Sequence, residues 1–185
     1  FIEKPTSMEN NLVLIGCYWF KNAERLHAAI EEQMERKTSL KGEYYLADTI
    51  SVMIEGGAKV RTHNGISWLD AGTIEATLDT NKVLLDKLGK QVNTYTGRQV
   101  KVIEPCAIDP SAEISDSTIG PHASIGADCK IENSTITESI VEAGSEIKDA
   151  ALSRSMVGRQ AQVKGRGDGQ VVQLNVGDNS YVILS

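Results

Sequence analysis

Three short segments hold the side chains best suited to handling charged ligands. Glu3-Lys4-Pro5 sets a carboxylate beside an ammonium, Lys41-Gly42-Glu43-Tyr44-Tyr45-Leu46-Ala47-Asp48 opens a helical stretch, and Trp68-Leu69-Asp70-Ala71-Gly72-Thr73 leads from a strand-like run into another helix. A lysine supplies a compact positive charge. A carboxylate serves as a hydrogen-bond acceptor or as a hard oxygen ligand for a cation. Each segment also has a plain structural reading: a surface turn for Lys4-Pro5, a helix cap for Gly42-Glu43, and packing for Trp68 and Asp70. The three cysteines, Cys17, Cys106 and Cys129, are far apart and fall in no metal-ligand spacing. Their odd number and wide separation suit a reduced compartment.

The elements around these segments read as an α/β or α+β unit. Asn11 to Phe20 is an apolar, strand-like run. Ala23 to Lys37 has helical periodicity, with Leu26, Ile30 and Met34 on one face. Glu43 to Glu55 predicts a second helix, with Leu46, Ile50, Met53 and Ile54 apolar and Gly56-Gly57 closing it. Lys59 to His63 and Ile66 to Leu69 predict short strands. Thr73 can cap a third helix that runs to about Leu88. Strands alternating with helices imply an α/β or α+β class. There are too few strands here for a self-sufficient parallel sheet.

The second half is a repeat. From Ile103 an aliphatic residue recurs every five or six positions: Ile103, Ile108, Ile114, Ile119, Ile125, Ile131, Ile136, Val141, Ile147, Leu152, Val157 and Val163. A helix requires steps of three and four, and a simple strand requires alternation. Four residues after the anchors stand mostly small side chains: Ala107, Ala112, Thr118, Ala123, Cys129, Thr135, Ser145, Ala151 and Ala161. Directly after them Gly or an acid is frequent, as at Glu104, Asp109, Gly120, Gly126, Glu132, Glu142 and Gly158. A triangular coil accounts for all three positions, with the anchor inside, the small residue near a tight corner, and Gly or a short polar residue taking up the unusual backbone. Three faces give coils of about 16 to 17 residues that stack at about 4.8 Å, roughly four of them. Gly165-Arg166-Gly167-Asp168-Gly169 interrupts the series, and the strand-like tail beyond it, Gln170 to Val176 and Tyr181 to Leu184, is expected to cap the open edge. Cys106 and Cys129 fall inside the repeat as packing residues.

This pattern resembles the left-handed parallel β-helix of hexapeptide-repeat proteins. The earlier segments, taken in order, resemble the C-terminal half of sugar-phosphate nucleotidyltransferases: Glu3-Lys4-Pro5, Gly16-Cys17-Tyr18, Lys41-Gly42-Glu43-Tyr44 and Trp68 to Thr73. The long glucose-1-phosphate thymidylyltransferase type, with its appended β-helix, is the nearest in character, and Glu43-Tyr44-Tyr45-Leu46 is also similar to uridylyltransferases. The resemblance implies a partial, Rossmann-like nucleotidyltransferase segment over 1–92 and a β-helix with a strand cap over 93–185. It implies a nucleoside triphosphate (dTTP or UTP) and a sugar 1-phosphate as substrates and Mg²⁺ as cofactor. By the same resemblance Lys4 and Asp70 are catalytic, with Asp70 a metal ligand and Lys4 on the sugar phosphate. Glu3, Gly16, Glu43 and Trp68 bind substrate, Glu43 through sugar hydroxyls. The family's Gly-rich, Arg-bearing triphosphate cradle has no counterpart in residues 1–185. The chain is therefore expected to be a C-terminal fragment that is inactive alone.

A net charge of −6 and a pI near 5.1 offer no basic face for nucleic acid or an anionic membrane. No apolar stretch approaches the roughly 18 residues of a membrane span, and a cytoplasmic location is expected. Two other functions compete. Some hexapeptide β-helices carry out acyl transfer from acetyl-coenzyme A, and His122 is the single histidine of the repeat able to act as base. Alternatively the β-helix is purely structural, its flat faces assembling a homo-oligomer such as a trimer.

Overall fold

A computed structural model describes residues 13–39, 41–88 and 97–184. Packing divides the chain into two units, Phe1–Trp68 and Leu69–Ser185.

The first unit contains α1 (Ala23–Glu35) and α2 (Leu46–Glu55). Asn22 starts α1 by accepting the Arg25 amide at 3.0 Å, as an N-cap should. The buried face differs from the apolar stripe expected from spacing. Ala29 and Gln33 are buried, whereas Ile30 and Met34 are exposed. Gln33 explains the difference. Its amide nitrogen donates to the carbonyls of Thr38 and Tyr45, both at 3.2 Å, and its oxygen accepts from the buried Thr49 hydroxyl of α2 at 2.5 Å. A fully satisfied buried amide stitches the helices together, which an apolar pattern does not reveal. In α2 the buried set is Ala47, Thr49, Ile50 and Val52, so of the expected residues Ile50 alone is buried. The strands expected at 59–63 and 66–69 do not form, and no strand forms over 13–20. Asn11 and Leu12 lie outside the described residues. A strand is stabilised through its ladder partners, and within this unit the apolar side chains of Val13, Ile15, Val60 and Ile66 stand exposed instead.

The second unit opens with α3 (Ile74–Leu88), as the Thr73 signal predicted. Its β-helix has five coils. The first is β1 (Lys101–Val102), β2 (Ala107–Ile108) and β3 (Glu113–Ser115), and the second is β4 (Thr118–Ile119), β5 (Ser124–Ile125) and β6 (Lys130–Glu132). The third is β7 (Thr135–Thr137), β8 (Ile140–Val141) and β9 (Glu146–Lys148). The fourth is β10 (Ala151–Ser153), β11 (Met156–Val157) and β12 (Gln162–Lys164), and the fifth is β13 (Val171–Val172), β14 (Asn175–Val176) and β15 (Tyr181–Ile183). Every third strand pairs in parallel, which gives three five-stranded sheets.

The tail is thus a fifth coil in register rather than a cap. Leu152 stacks on Val172, Val157 on Val176 and Val163 on Val182. The glycine-rich insertion lengthens this coil without ending it. At the other end Val102, not Ile103, pairs with Ile119 and occupies the anchor position.

The small register also shifts. The buried small residues stand two before each anchor: Cys106, Ala112, Ser117, Ala123, Cys129, Ser134, Ser139, Ser145, Ala150, Ser155 and Ala161. Counting four forward from an anchor finds them only where the step is six. Where it is five, the count lands one residue late, on Thr118, Thr135 or Ala151. The left-handed corner residues likewise lie two or three past the anchor, at Asp116, His122, Asp128, Asn133, Glu138, Gly144, Asp149, Arg154 and Gln160. Of the Gly and acidic residues directly after an anchor, Gly120 alone has positive φ.

Buried serines complete the corners. Ser134 Oγ donates to its own coil at the Glu132 carbonyl (2.7 Å) and accepts from the Ala150 amide of the next coil (3.2 Å). Ser139 does the same with the Thr137 carbonyl (2.6 Å) and the Ser155 amide (2.9 Å). Ser139→Ala orphans a buried amide. We expect a loss of about 1–3 kcal/mol in urea unfolding. The exposed Thr135→Ala should change stability by less than about 0.5 kcal/mol.

Candidate functional site

Glu3 and Lys4 lie outside the described residues. Gly16, Glu43 and Trp68 belong to the first unit, and Asp70 to the second. Gly16 sits at a bend with φ +75°, and a Cβ there would meet nothing within 4 Å. Its glycine is required by the backbone conformation and leaves the main chain open to a ligand. Glu43 follows two left-handed residues, Lys41 (φ 53°) and Gly42 (φ 83°). Its exposed carboxylate accepts the Tyr45 hydroxyl through Oε2. Trp68 is exposed.

The Asp70 turn is built in more detail. Asp70 Oδ1 accepts the Gly72 amide at 3.2 Å, an Asx-type closure that orients the carboxylate. Thr73 Oγ1 accepts the Ala76 amide at 3.1 Å and caps α3. Two threonines inside the helix reach back to the turn: Thr80 Oγ1 donates to the Asp70 carbonyl at 2.5 Å, and Thr77 Oγ1 donates to the Thr73 carbonyl at 2.8 Å, with the Ala71 carbonyl farther off at 3.3 Å. The turn is therefore fastened to α3 at the Asp70 and Thr73 main-chain carbonyls while the carboxylate stays exposed.

Among the described residues no three His, Cys, Asp or Glu side chains converge as a metal cage. One exposed carboxylate is nonetheless the donor set suited to Mg²⁺, which keeps several waters and is held by one or two carboxylates together with substrate phosphates. Asp70 fits that role as a single ligand.

His122 does not face open solvent. Its Nε2 lies 2.8 Å from Asp86 Oδ1 of α3, and its Nδ1 is buried without a protein partner among the described residues. Cys106 and Cys129 are both free and buried at the small-residue positions. Burial, then the neighbouring Glu104 carboxylate, pushes the Cys106 thiol up to about 11, and burial also raises Cys129. Neither is a ready nucleophile at neutral pH. No helix among the described residues is long and apolar enough to cross a membrane.

Sequence reading missed Thr80 and Thr77, which belong to no motif, and missed the hold of Tyr45 on Glu43, although Tyr45 stands inside one. The threonines have a detectable signal, since each sits one to two turns into a helix whose N-terminal turn carries the carboxylate.

Residues 1–87 match the nucleotidyl transferase family. The chain is 30% identical to a glucose-1-phosphate thymidylyltransferase of Streptomyces antibioticus over 87% of its own length and 49% of the relative's. It is 30% identical to the low-salt glycan biosynthesis nucleotidyltransferase Agl11 of Haloferax volcanii, over 99% of the chain and 56% of that protein. It is 31% identical to the bifunctional protein GlmU of an Exiguobacterium species, over 83% and 36%. The chain spans about half the length of the first two of these relatives. The expected resemblance of the first half to nucleotidyltransferases is borne out by these matches, and the β-helix expected after it is present in the structure.

Proposed function

From a nucleotidyl transferase segment joined to a five-coil β-helix, we propose that this chain serves the transfer of a nucleotidyl group from dTTP or UTP to a sugar 1-phosphate, releasing pyrophosphate. The observation that carries the reading is the match of residues 1–87 to that family, together with the Asp70 turn that ends the matched segment on a capped helix.

The reaction brings two polyanions together, so its barrier is largely electrostatic. A bound divalent cation, Mg²⁺ by this reading, neutralises part of that charge on the transferring phosphoryl group. Asp70 contributes one carboxylate oxygen to hold it, oriented by the Gly72 amide. Lys4 meets the sugar phosphate, with Glu3 beside it. Glu43 accepts hydrogen bonds from sugar hydroxyls, its position held by Tyr45. Gly16 lets the sugar approach the main chain, and Trp68 offers an apolar face. The attacking phosphate is already ionised, so the reaction requires no general base. The triphosphate cradle is not among residues 1–185, and we expect this chain alone to hold sugar phosphate but not to turn over.

Quenching of tryptophan fluorescence on titration with glucose 1-phosphate and Mg²⁺ tests the reading. Glu43→Ala should weaken binding by about tenfold, the scale of one charge-assisted hydrogen bond of roughly 1.5 kcal/mol. Equal binding by the variant would remove Glu43 from the site. Pyrophosphate release from the 185-residue chain with dTTP or UTP would overturn the expectation of inactivity.

A further inference from the structure

We infer that the β-helix is a positioning element for Asp70, acting through a charge-paired ladder between α3 and one corner of the coils. This rests on the reading of Asp70 as the cation ligand.

Three α3 residues meet three successive coils. Asp86 Oδ1 lies 2.8 Å from His122 Nε2, Lys82 Nζ 3.3 Å from Glu138 Oε1, and Asp79 Oδ1 3.3 Å from Arg154 Nη1. The corner residues share one place in their coils, 16 positions apart, and all have positive φ (59°, 47° and 48°). The fit is metric. Steps of three and four residues advance a helix by about 4.5 and 6 Å, close to the roughly 4.8 Å spacing of stacked strands. One turn of α3 therefore spans one coil.

The signs fix the register. Along α3 they run acidic, basic, acidic, and along the corner basic, acidic, histidine. A slip of one coil toward the third coil would face Asp79 with Glu138. A slip the other way would face Lys82 with Arg154 and Asp86 with Glu138. Both put like charges together. Asn81 adds a directional lock. Its Oδ1 accepts the Ser124 hydroxyl at 2.7 Å and its Nδ2 donates to the His122 carbonyl at 3.4 Å. Thr80, beside Asn81, holds the Asp70 carbonyl. The path from corner to carboxylate is thus one rigid helix with a bonded contact at each end.

Mn²⁺ is the probe. Its paramagnetic broadening of the Ala71 to Thr73 amide signals is titrated in the 185-residue chain, and amide exchange at Ala76 and Thr77 is measured beside it. Asp70→Asn should abolish the broadening. Lys82→Glu should need about fivefold more Mn²⁺ and exchange about fivefold faster, the scale of a surface pair lost. The reversal Lys82→Glu with Glu138→Lys should restore both, which a merely structural lysine would not do. Lys82→Gln serves as the milder variant if the single reversal fails to fold. Unchanged titration and exchange in the Lys82 variants, or no rescue by the reversal, would overturn the positioning role. Broadening that survives Asp70→Asn would sink the metal reading instead, and the exchange data with its rescue would then decide positioning alone.

Discussion

Ile136→Ala should lower unfolding free energy by about 2–5 kcal/mol, the range for deleting a buried isoleucine side chain and leaving a cavity. Ile136 is completely buried and lies in the middle coil, stacked between Ile119 and Leu152. A coil has three faces, and each contributes one aliphatic side chain to the interior. Nothing across the prism can move to fill the gap, because neighbouring anchors are held in place by main-chain ladders above and below. Ile103→Ala is the informative partner. Ile103 belongs to the same run of spaced isoleucines, yet Val102 holds the anchor position and Ile103 is only half-buried. Its truncation should cost about 1 kcal/mol. Urea melts followed by circular dichroism compare the two, and equal losses would mean that the register at β1 is wrong.

That comparison shows how far the repeat is legible. Aliphatic anchors stand out because burial admits no polar substitute at those positions. The corner positions are harder, because a small residue can be Ala, Ser, Thr or Cys both inside and outside the prism. Ser134 and Thr135 are adjacent and similar in type, and the hydrogen bonds of Ser134 are what mark it as the inner one. The fifth coil was hidden for a different reason. Gly165 to Gly169 stretch the spacing from Val163 to Val182 beyond the repeat length, while the ladder tolerates the bulge at a corner. In the first unit the strand-like runs form no strand among the described residues, because alternation and apolarity describe a side-chain face, whereas a strand also needs a hydrogen-bonded neighbour.

The candidate site was legible as chemistry and not as geometry. Asp70 and Glu43 carry functional groups and Gly16 a conspicuous lack of side chain, so motifs reveal them. The α3 ladder acts through contacts between residues far apart in sequence, such as Arg154 with Asp79, whereas Thr80 and Tyr45 act through nearby side-chain hydrogen bonds to Asp70 and Glu43 that residue type alone does not mark. A single exposed pair of this kind is worth little, about 0 to 1 kcal/mol. Its value lies in rejecting wrong registers, which no local pattern encodes.

Gly120→Ala should be among the most damaging substitutions in the β-helix, with a loss of roughly 2–5 kcal/mol from two additive causes, a strained backbone and an overpacked contact. The first is conformational: Gly120 has φ +94°, which L side chains rarely adopt. The second is steric: a Cβ at this position would lie 1.9 Å from the Ile103 carbonyl oxygen, a main-chain atom of the preceding coil. Relief by movement is blocked, because the Gly120 amide donates to the Ile136 carbonyl at 2.8 Å on the opposite side, and the Ile103 amide donates to the Ile119 carbonyl at 2.8 Å. The strand pair would have to part. Gly177 provides the control, since it also directly follows an anchor, Val176, but has ordinary φ and no atom within 4 Å of its would-be Cβ. Gly177→Ala should be neutral within about 0.5 kcal/mol. The strain at Gly120 would also reach α3, because the corner that begins there carries His122 and its contact with Asp86. Faster amide exchange at Asp86 and Leu85 in Gly120→Ala, with Gly177→Ala unchanged, is therefore expected. A Gly120→Ala protein as stable as its parent would show that the β1 and β4 coils are not stacked this closely.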